Sequence, residues 1–245
     1  MISELLLLSN NDIPFIEAQI NIHNPTLKEI AVISEESFHL GCQFLNFSIN
    51  LLNTQDKSVL SNKSDFEVFM SIINGQEKSK YKVDTMLVLT LLFPNHKIKI
   101  DKDKILLQTD DFSSTSINNN NFNAFKKIIS EMFVLNEVAA EDGSYNPADA
   151  YAKKIAEKFK KRKELLAKQS GVNLNKIAIF SRYVSILAVG EHKDINSLME
   201  YTVYQLKDEF KRFQMKHQFD FYMEAKLAGA QDLEEVDNWM DDIHP

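Results

Sequence analysis

Three polar residues, each followed by apolar residues at helical spacing, constrain this chain more than any other feature: Thr26, Ser34 and Ser64. Thr26 and Ser64 are followed three residues later by Glu29 and Glu67, the spacing at which two side chains and two backbone N–H groups satisfy one another at a helix start. Ser34 is followed directly by Glu35 and Glu36, whose charge suits the positive end of a helix dipole. Behind Ser34, the residues Phe38, Cys42, Leu45, Ile49 and Leu52 recur at spacings of three and four, which predicts a core-facing helix reaching Leu52. Behind Ser64, the residues Val68, Phe69, Ile72 and Ile73 predict a helix ended by Gly75. Only six Gly and five Pro in 245 residues agree with a helix-rich chain over a loop-rich β-sandwich.

Strand signals are fewer. Residues 15–22 alternate, with Ile16, Ala18, Ile20 and Ile22 on one face, and predict a single half-buried strand. Residues 83–92 predict an apolar helix stopped by Pro94. Residues 97–100 and 105–108, joined through Asp101-Lys102-Asp103, predict a hairpin, so three small strands are expected in all. The run of four asparagines at 118–121 predicts a surface loop ahead of a helix over 123–133. Periodicity is lost over 136–146, and beyond it the composition turns helical over 147–168, 174–187 and 196–228. In the last of these, Val203, Leu206, Phe210 and Phe213 form a seam, Gly229 ends the helix, and a short acidic helix is expected over 233–240 around Trp239. The expected fold class is α+β, predominantly helical. An α+β domain with a small antiparallel sheet is expected over 1–136, a linker over 137–146, and a helical bundle with an acidic tail over 147–245.

Charge is unevenly spread along the chain. The total of -7 resolves into -7 over residues 1–146, +6 over 147–230 and -6 over the last fifteen residues. The basic residues Lys153, Lys154, Lys158, Lys160, Lys161, Arg162, Lys163 and Lys168 fall on one predicted helix, but Glu157 and Glu164 interrupt them and only Tyr151 and Phe159 accompany them. Ordinary i, i+4 support of a solvated helix accounts for that pattern better than nucleic-acid binding, which needs uninterrupted charge and stacking aromatics. The tail residues Glu234, Glu235, Asp237, Asp241 and Asp242 are expected to dock on the basic helix until a partner displaces them.

The sequence carries no familiar catalytic device. The six Gly are too scattered for a P-loop or a dinucleotide fingerprint, and no two His stand four apart on one helix as in a zincin. Asp101 and Asp103 open like a calcium loop, but Leu106 stands where the Gly belongs and no Glu closes it. The lone Cys42 excludes a disulfide framework or a multi-cysteine zinc site and makes a reducing, intracellular setting the expectation. No apolar run approaches the roughly 20 residues of a membrane span, and the first ten residues lack the basic start of a signal peptide. No enzyme, no cofactor, no metal and no membrane association are expected.

Two stretches carry a family resemblance. The segment 15–22 running into Asn24-Pro25-Thr26-Leu27-Lys28-Glu29-Ile30 resembles the start of tail and baseplate assembly proteins of tailed bacteriophages. The segment from Tyr204-Gln205-Leu206-Lys207-Asp208-Glu209-Phe210-Lys211-Arg212-Phe213 through Leu227-Ala228-Gly229-Ala230 to Trp239-Met240-Asp241-Asp242-Ile243-His244 is similar to the ends of proteins from tail-module regions of phages of low-GC bacteria. The resemblance implies a tail assembly chaperone or minor baseplate component with tape-measure or baseplate subunits as partners, homo- or hetero-oligomeric. It also implies a site of action in the host cytoplasm during assembly, with retention in the virion tail left open. A structural subunit of the particle and a nucleic-acid-binding regulator using residues 153–168 are the alternatives. Groove binding of a partner helix would use Tyr201, Tyr204, Phe219, Tyr222 and Trp239, although aromatics at helical spacing equally fit an internal seam.

Overall fold

The computed structural model describes residues 2–49, 62–75, 80–110, 113–135, 179–230 and 235–241. In chain order these form helix α1 (Glu4–Leu7), strands β1 (Ile13–Phe15) and β2 (Ile20–Ile22), helices α2 (Leu27–Ile33), α3 (Glu35–Leu45), α4 (Asp65–Gly75) and α5 (Lys80–Leu92), and strands β3 (Lys97–Ile100), β4 (Ile105–Gln108) and β5 (Ser114–Ile117). Helices α6 (Phe122–Phe133), α7 (Ile179–Gly190), α8 (Ile195–Met199) and α9 (Val203–Leu227) follow. The fold class is α+β and predominantly helical, with the small sheets in the N-terminal part and helices in the C-terminal part.

The predicted helix starts are realised through their side chains. Thr26 accepts from the Glu29 N–H while the Glu29 carboxylate accepts from the Thr26 N–H, and Ser64 and Glu67 repeat the exchange. Ser34 accepts from the Ser37 N–H at the start of α3.

Several expectations are corrected. The single strand over 15–22 is a hairpin: β1 and β2 pair antiparallel with Ile13 opposite Ile22, around a 3-10 turn at Ile16–Ala18. Gln19 takes a left-handed conformation there, with φ 55°, which breaks the period of two and leaves Ile16 78% exposed. Helix α3 ends at Leu45, so Ile49 lies beyond it, and Leu52 falls outside the described residues. The hairpin β3–β4 forms at the expected residues, with Ile100 opposite Ile105, but gains the unpredicted strand β5 on its other side. Sequence STSI in β5 has a single strongly apolar residue, so alternation was too weak to announce a strand.

The span 196–228 divides into α8 and α9 at Glu200 to Thr202. The described residues 235–241 form no helix; Trp239 and Met240 lie in a turn closed by the Asp241 N–H on the Asn238 carbonyl. The expected linker 137–146 and the basic helix 147–168 lie outside the described residues.

Phenylalanine dominates the core. Phe38 meets Phe133 edge-on at 4.9 Å, Phe122 meets Phe66 at 4.9 Å and Phe69 at 5.1 Å, and Phe125 packs on Phe15 at 5.8 Å. Such ring pairs add about 0.5–1.5 kcal/mol each beyond their burial. Helices α3 and α5 approach closely because Gly41 has no side chain: a Cβ there would lie 2.5 Å from Val88 Cγ2 and 2.6 Å from the Asp84 carbonyl oxygen. Phe180, Leu187, Leu198, Val203, Leu206 and Phe210 of the C-terminal helices belong to the same buried cluster as the N-terminal residues.

Candidate functional site

Helix α9 begins locally. Thr202 accepts from the Gln205 N–H at 3.3 Å while the Gln205 carboxamide oxygen accepts from the Thr202 N–H at 2.8 Å, a capping box that outcompetes continuation of α8. Its first half is then tied to the body from several sides. Thr202 bridges Thr26, and the Leu27 N–H donates to the Tyr201 carbonyl at 2.8 Å. The Gln205 amide donates to the Leu8 carbonyl at 2.7 Å. Lys207 Nζ donates to the Phe133 and Val134 carbonyls at 3.0 and 2.9 Å, satisfying groups that α6 leaves open at its C-terminus.

The seam predicted from Val203, Leu206, Phe210 and Phe213 faces the body. Phe210 stacks on Tyr183 of α7 at 3.7 Å and 10°. Phe213 sits where a Cβ on Gly190 would come within 2.4 Å of its ring, so any larger residue at the end of α7 would push the ring aside. Lys193 forms an ion pair with Glu209, donates to the Tyr201 hydroxyl at 3.2 Å and lies 5.6 Å over the Tyr201 ring. Partial burial opposes its charge, but the bonds to Glu209 and Tyr201 prevail and hold its pKa above the ordinary lysine value.

Beyond Phe210 full burial stops. Its 25 residues extend about 37 Å at 1.5 Å per residue, and no residue of 214–227 is fully buried. At 3.6 residues per turn Phe221 lies about five turns after Val203 and so continues the core-facing seam, through His217, past Phe210, the last fully buried residue of α9. Phe221 is 73% exposed and Leu227 84%, and Met223 is exposed as well. A Schellman arrangement closes the helix: the Ala230 N–H reaches the Ala225 carbonyl at 3.0 Å and the Gly229 N–H the Lys226 carbonyl at 3.1 Å, with Gly229 at φ 87°.

The five aromatics predicted to receive a partner are placed unequally. Tyr204 is 4% exposed and belongs to the core, because the first turns of α9 are enclosed by the body. Tyr201 is half-buried and committed to Lys193. Phe219 and Tyr222 are half-buried on the projecting half, one turn apart, and Trp239 is half-buried in the tail. Phe221, Met223 and Leu227 are the exposed apolar residues that sequence reasoning missed, although carrying the seam on at spacings of four from Phe213 reaches Phe221.

The tail meets α9. Arg212 Nη1 donates to the Trp239 carbonyl at 3.1 Å and the Asp241 carbonyl at 3.4 Å, while its Nε donates to Asp208 at 3.3 Å. The cation that receives the described part of the tail is therefore on α9; the basic helix expected to do so lies outside the described residues.

Below the seat of α9, His23 lies between two carboxylates, with Nδ1 3.0 Å from Asp12 and Nε2 3.1 Å from Glu29. Burial lowers its affinity for a proton, yet the two carboxylates more than compensate and its pKa is raised above 6.5. Among the described residues no group of three or more His, Cys, Asp or Glu could hold a metal ion, and no helix is long and apolar enough to cross a membrane.

Residues 168–244, which include all of α7, α8 and α9, match the family described as YomV second domain, a phage-associated family. The match fits a phage protein. It covers less than half of the chain and leaves the sheets and α1–α6 unmatched. No curated protein and no solved structure matches the chain.

Proposed function

We propose that this is a non-enzymatic assembly protein of a phage tail or baseplate, acting in the host cytoplasm and binding an apolar helix of another tail protein along the projecting half of α9. One observation carries the reading: the seam that packs α9 onto its own body runs on to the exposed Phe221, and Met223 and Leu227 are exposed on other sides of the same helix half, inside the segment that matches a phage-associated family. Exposed aromatic and aliphatic residues on a rigid helix provide the anchors that helix-on-helix recognition uses, at little ordering cost.

Pull-down of the tagged full chain from cells expressing the neighbouring phage genes tests it. A long, helix-rich tail protein or baseplate subunit should be recovered through nuclease treatment and high salt, and should be lost from a Phe221→Ser/Leu227→Ser variant. Recovery of nucleic acid alone, released by salt, would replace this reading with the regulator.

A further inference from the structure

The assembly reading makes no use of a cleft of about 650 Å³ between α4, the β3–β4 turn and the asparagine turn that precedes α6. We propose that this cleft is a binding site for a short segment of a neutral, polyhydroxylated glycan.

Its size falls inside the roughly 300–1,000 Å³ of ordinary small-molecule sites. Phe66 and Met70 of α4, each 3% exposed, form its apolar floor, the Phe66 ring being packed on Phe122 at 4.9 Å. Four carboxamides line it, Asn74 from α4 and Asn118, Asn119 and Asn120 from the turn, together with four charged side chains and the hydroxyls of Ser71 and Ser116; the Asn74 amide already donates to the Lys102 carbonyl at 3.4 Å. A carboxamide offers two donors and an acceptor, the complement of hydroxyls that both donate and accept.

The four asparagines divide their labour. Asn118 Oδ1 accepts from the Asn120 N–H at 2.9 Å, Asn121 Oδ1 accepts from the Asn118 N–H at 2.8 Å, and Asn121 Nδ2 donates to the Ser116 carbonyl at 2.9 Å. Asn118 and Asn121 thereby build the turn. Asn119 and Asn120 are exposed, line the cleft and make no side-chain hydrogen bond among the described residues, so they are available to a ligand.

Charge selects the ligand class. Glu67 and Asp103 stand against Lys102 and Lys104 around the cleft, two of each sign. A balanced rim gives a polyanion no excess of positive charge to bind, and gives a cation no excess of negative charge. A peptide anchored by apolar side chains would need apolar pockets, whereas the apolar lining here, Phe66 and Met70, is almost wholly buried.

The proposal stands apart from the assembly reading and is tested apart from it. The full chain is applied to an array of neutral oligosaccharides, and chitotriose and maltotriose are titrated by NMR alongside a neutral tripeptide, Ala-Ser-Ala, and a sulfated heparin disaccharide. A neutral saccharide should bind and shift the signals of Asn74, Asn119 and Asn120. The Asn119→Ala/Asn120→Ala variant, which spares the hydrogen bonds that build the turn, should bind about tenfold more weakly at unchanged melting temperature, the loss of one or two hydrogen bonds. Absence of binding by every neutral saccharide, equal affinity of the variant, or binding of the tripeptide or the sulfated disaccharide in preference would overturn it.

Discussion

The two halves of α9 share one helix and one seam, yet differ in almost everything that follows from tertiary contact. Residues 203–213 are capped, bridged to Thr26, held to α1 and α6 by Gln205 and Lys207, and stacked on α7; residues 214–227 carry the same phase on at Phe221, and none of them is fully buried. Phe210 and Phe221 therefore illustrate how one side-chain type acquires two meanings. Buried against Tyr183, a phenylalanine stabilises the fold; 73% exposed, it does little for the fold.

Substitutions should separate the halves by size of effect. Phe210→Ala removes a buried ring and its stack, and is expected to destabilise by about 3–5 kcal/mol in urea unfolding. A loss below about 1 kcal/mol would mean that the first half is not anchored as described. Thr202→Ala deletes the capping hydroxyl and should cost about 1 kcal/mol in the same measurement, with Thr202→Ser restoring most of it.

Solution pH sharpens the contrast on a smaller scale, because the seat of the first half rests on titrating groups. His23 has a raised pKa, so its contribution is complete below 6.5 and is lost as pH rises through its folded value. Glu29 is buried in part, which raises its pKa, but hydrogen bonds from Thr26 and His23 outweigh this and hold it below 4.5; its contribution is present above that value and lost as pH falls. Melting temperatures measured across pH 6.5 and above should decline more for the native chain than for His23→Gln. Because the cluster is partly exposed, the difference should stay under about 1 kcal/mol.

The smallest expected effect on stability belongs to the projecting half. Phe221→Ser and Leu227→Ser should each change unfolding free energy by no more than about 0.5 kcal/mol. A larger loss would show that this half is packed against something in the isolated protein.

Legibility in the sequence followed the range of the interaction. Capping boxes at Thr26 and Ser64 lie within four residues and were readable, as were the β3–β4 hairpin and the glycine stop at Gly229. Thr202 with Gln205 carries the same local code, but lay inside a span that looked continuously helical, so the break between α8 and α9 went unread. Residue type does not separate Tyr204 in the core from Phe219 and Tyr222 on the projecting half. The four asparagines likewise announced a turn without revealing that two of them build it and two line a cleft.

By itself the sequence determined the helix starts, their apolar stripes, the hairpin and the phage resemblance, because caps and periodicity act between residues a few positions apart. Only the tertiary structure decided where the body ends along α9, which aromatics it covers, which cation receives the described tail and which side chains meet around the cleft. Burial depends on neighbours that are remote in sequence, such as Tyr183 for Phe210 and Phe133 for Lys207, and a helix of uniform pattern contains no mark of where those neighbours stop.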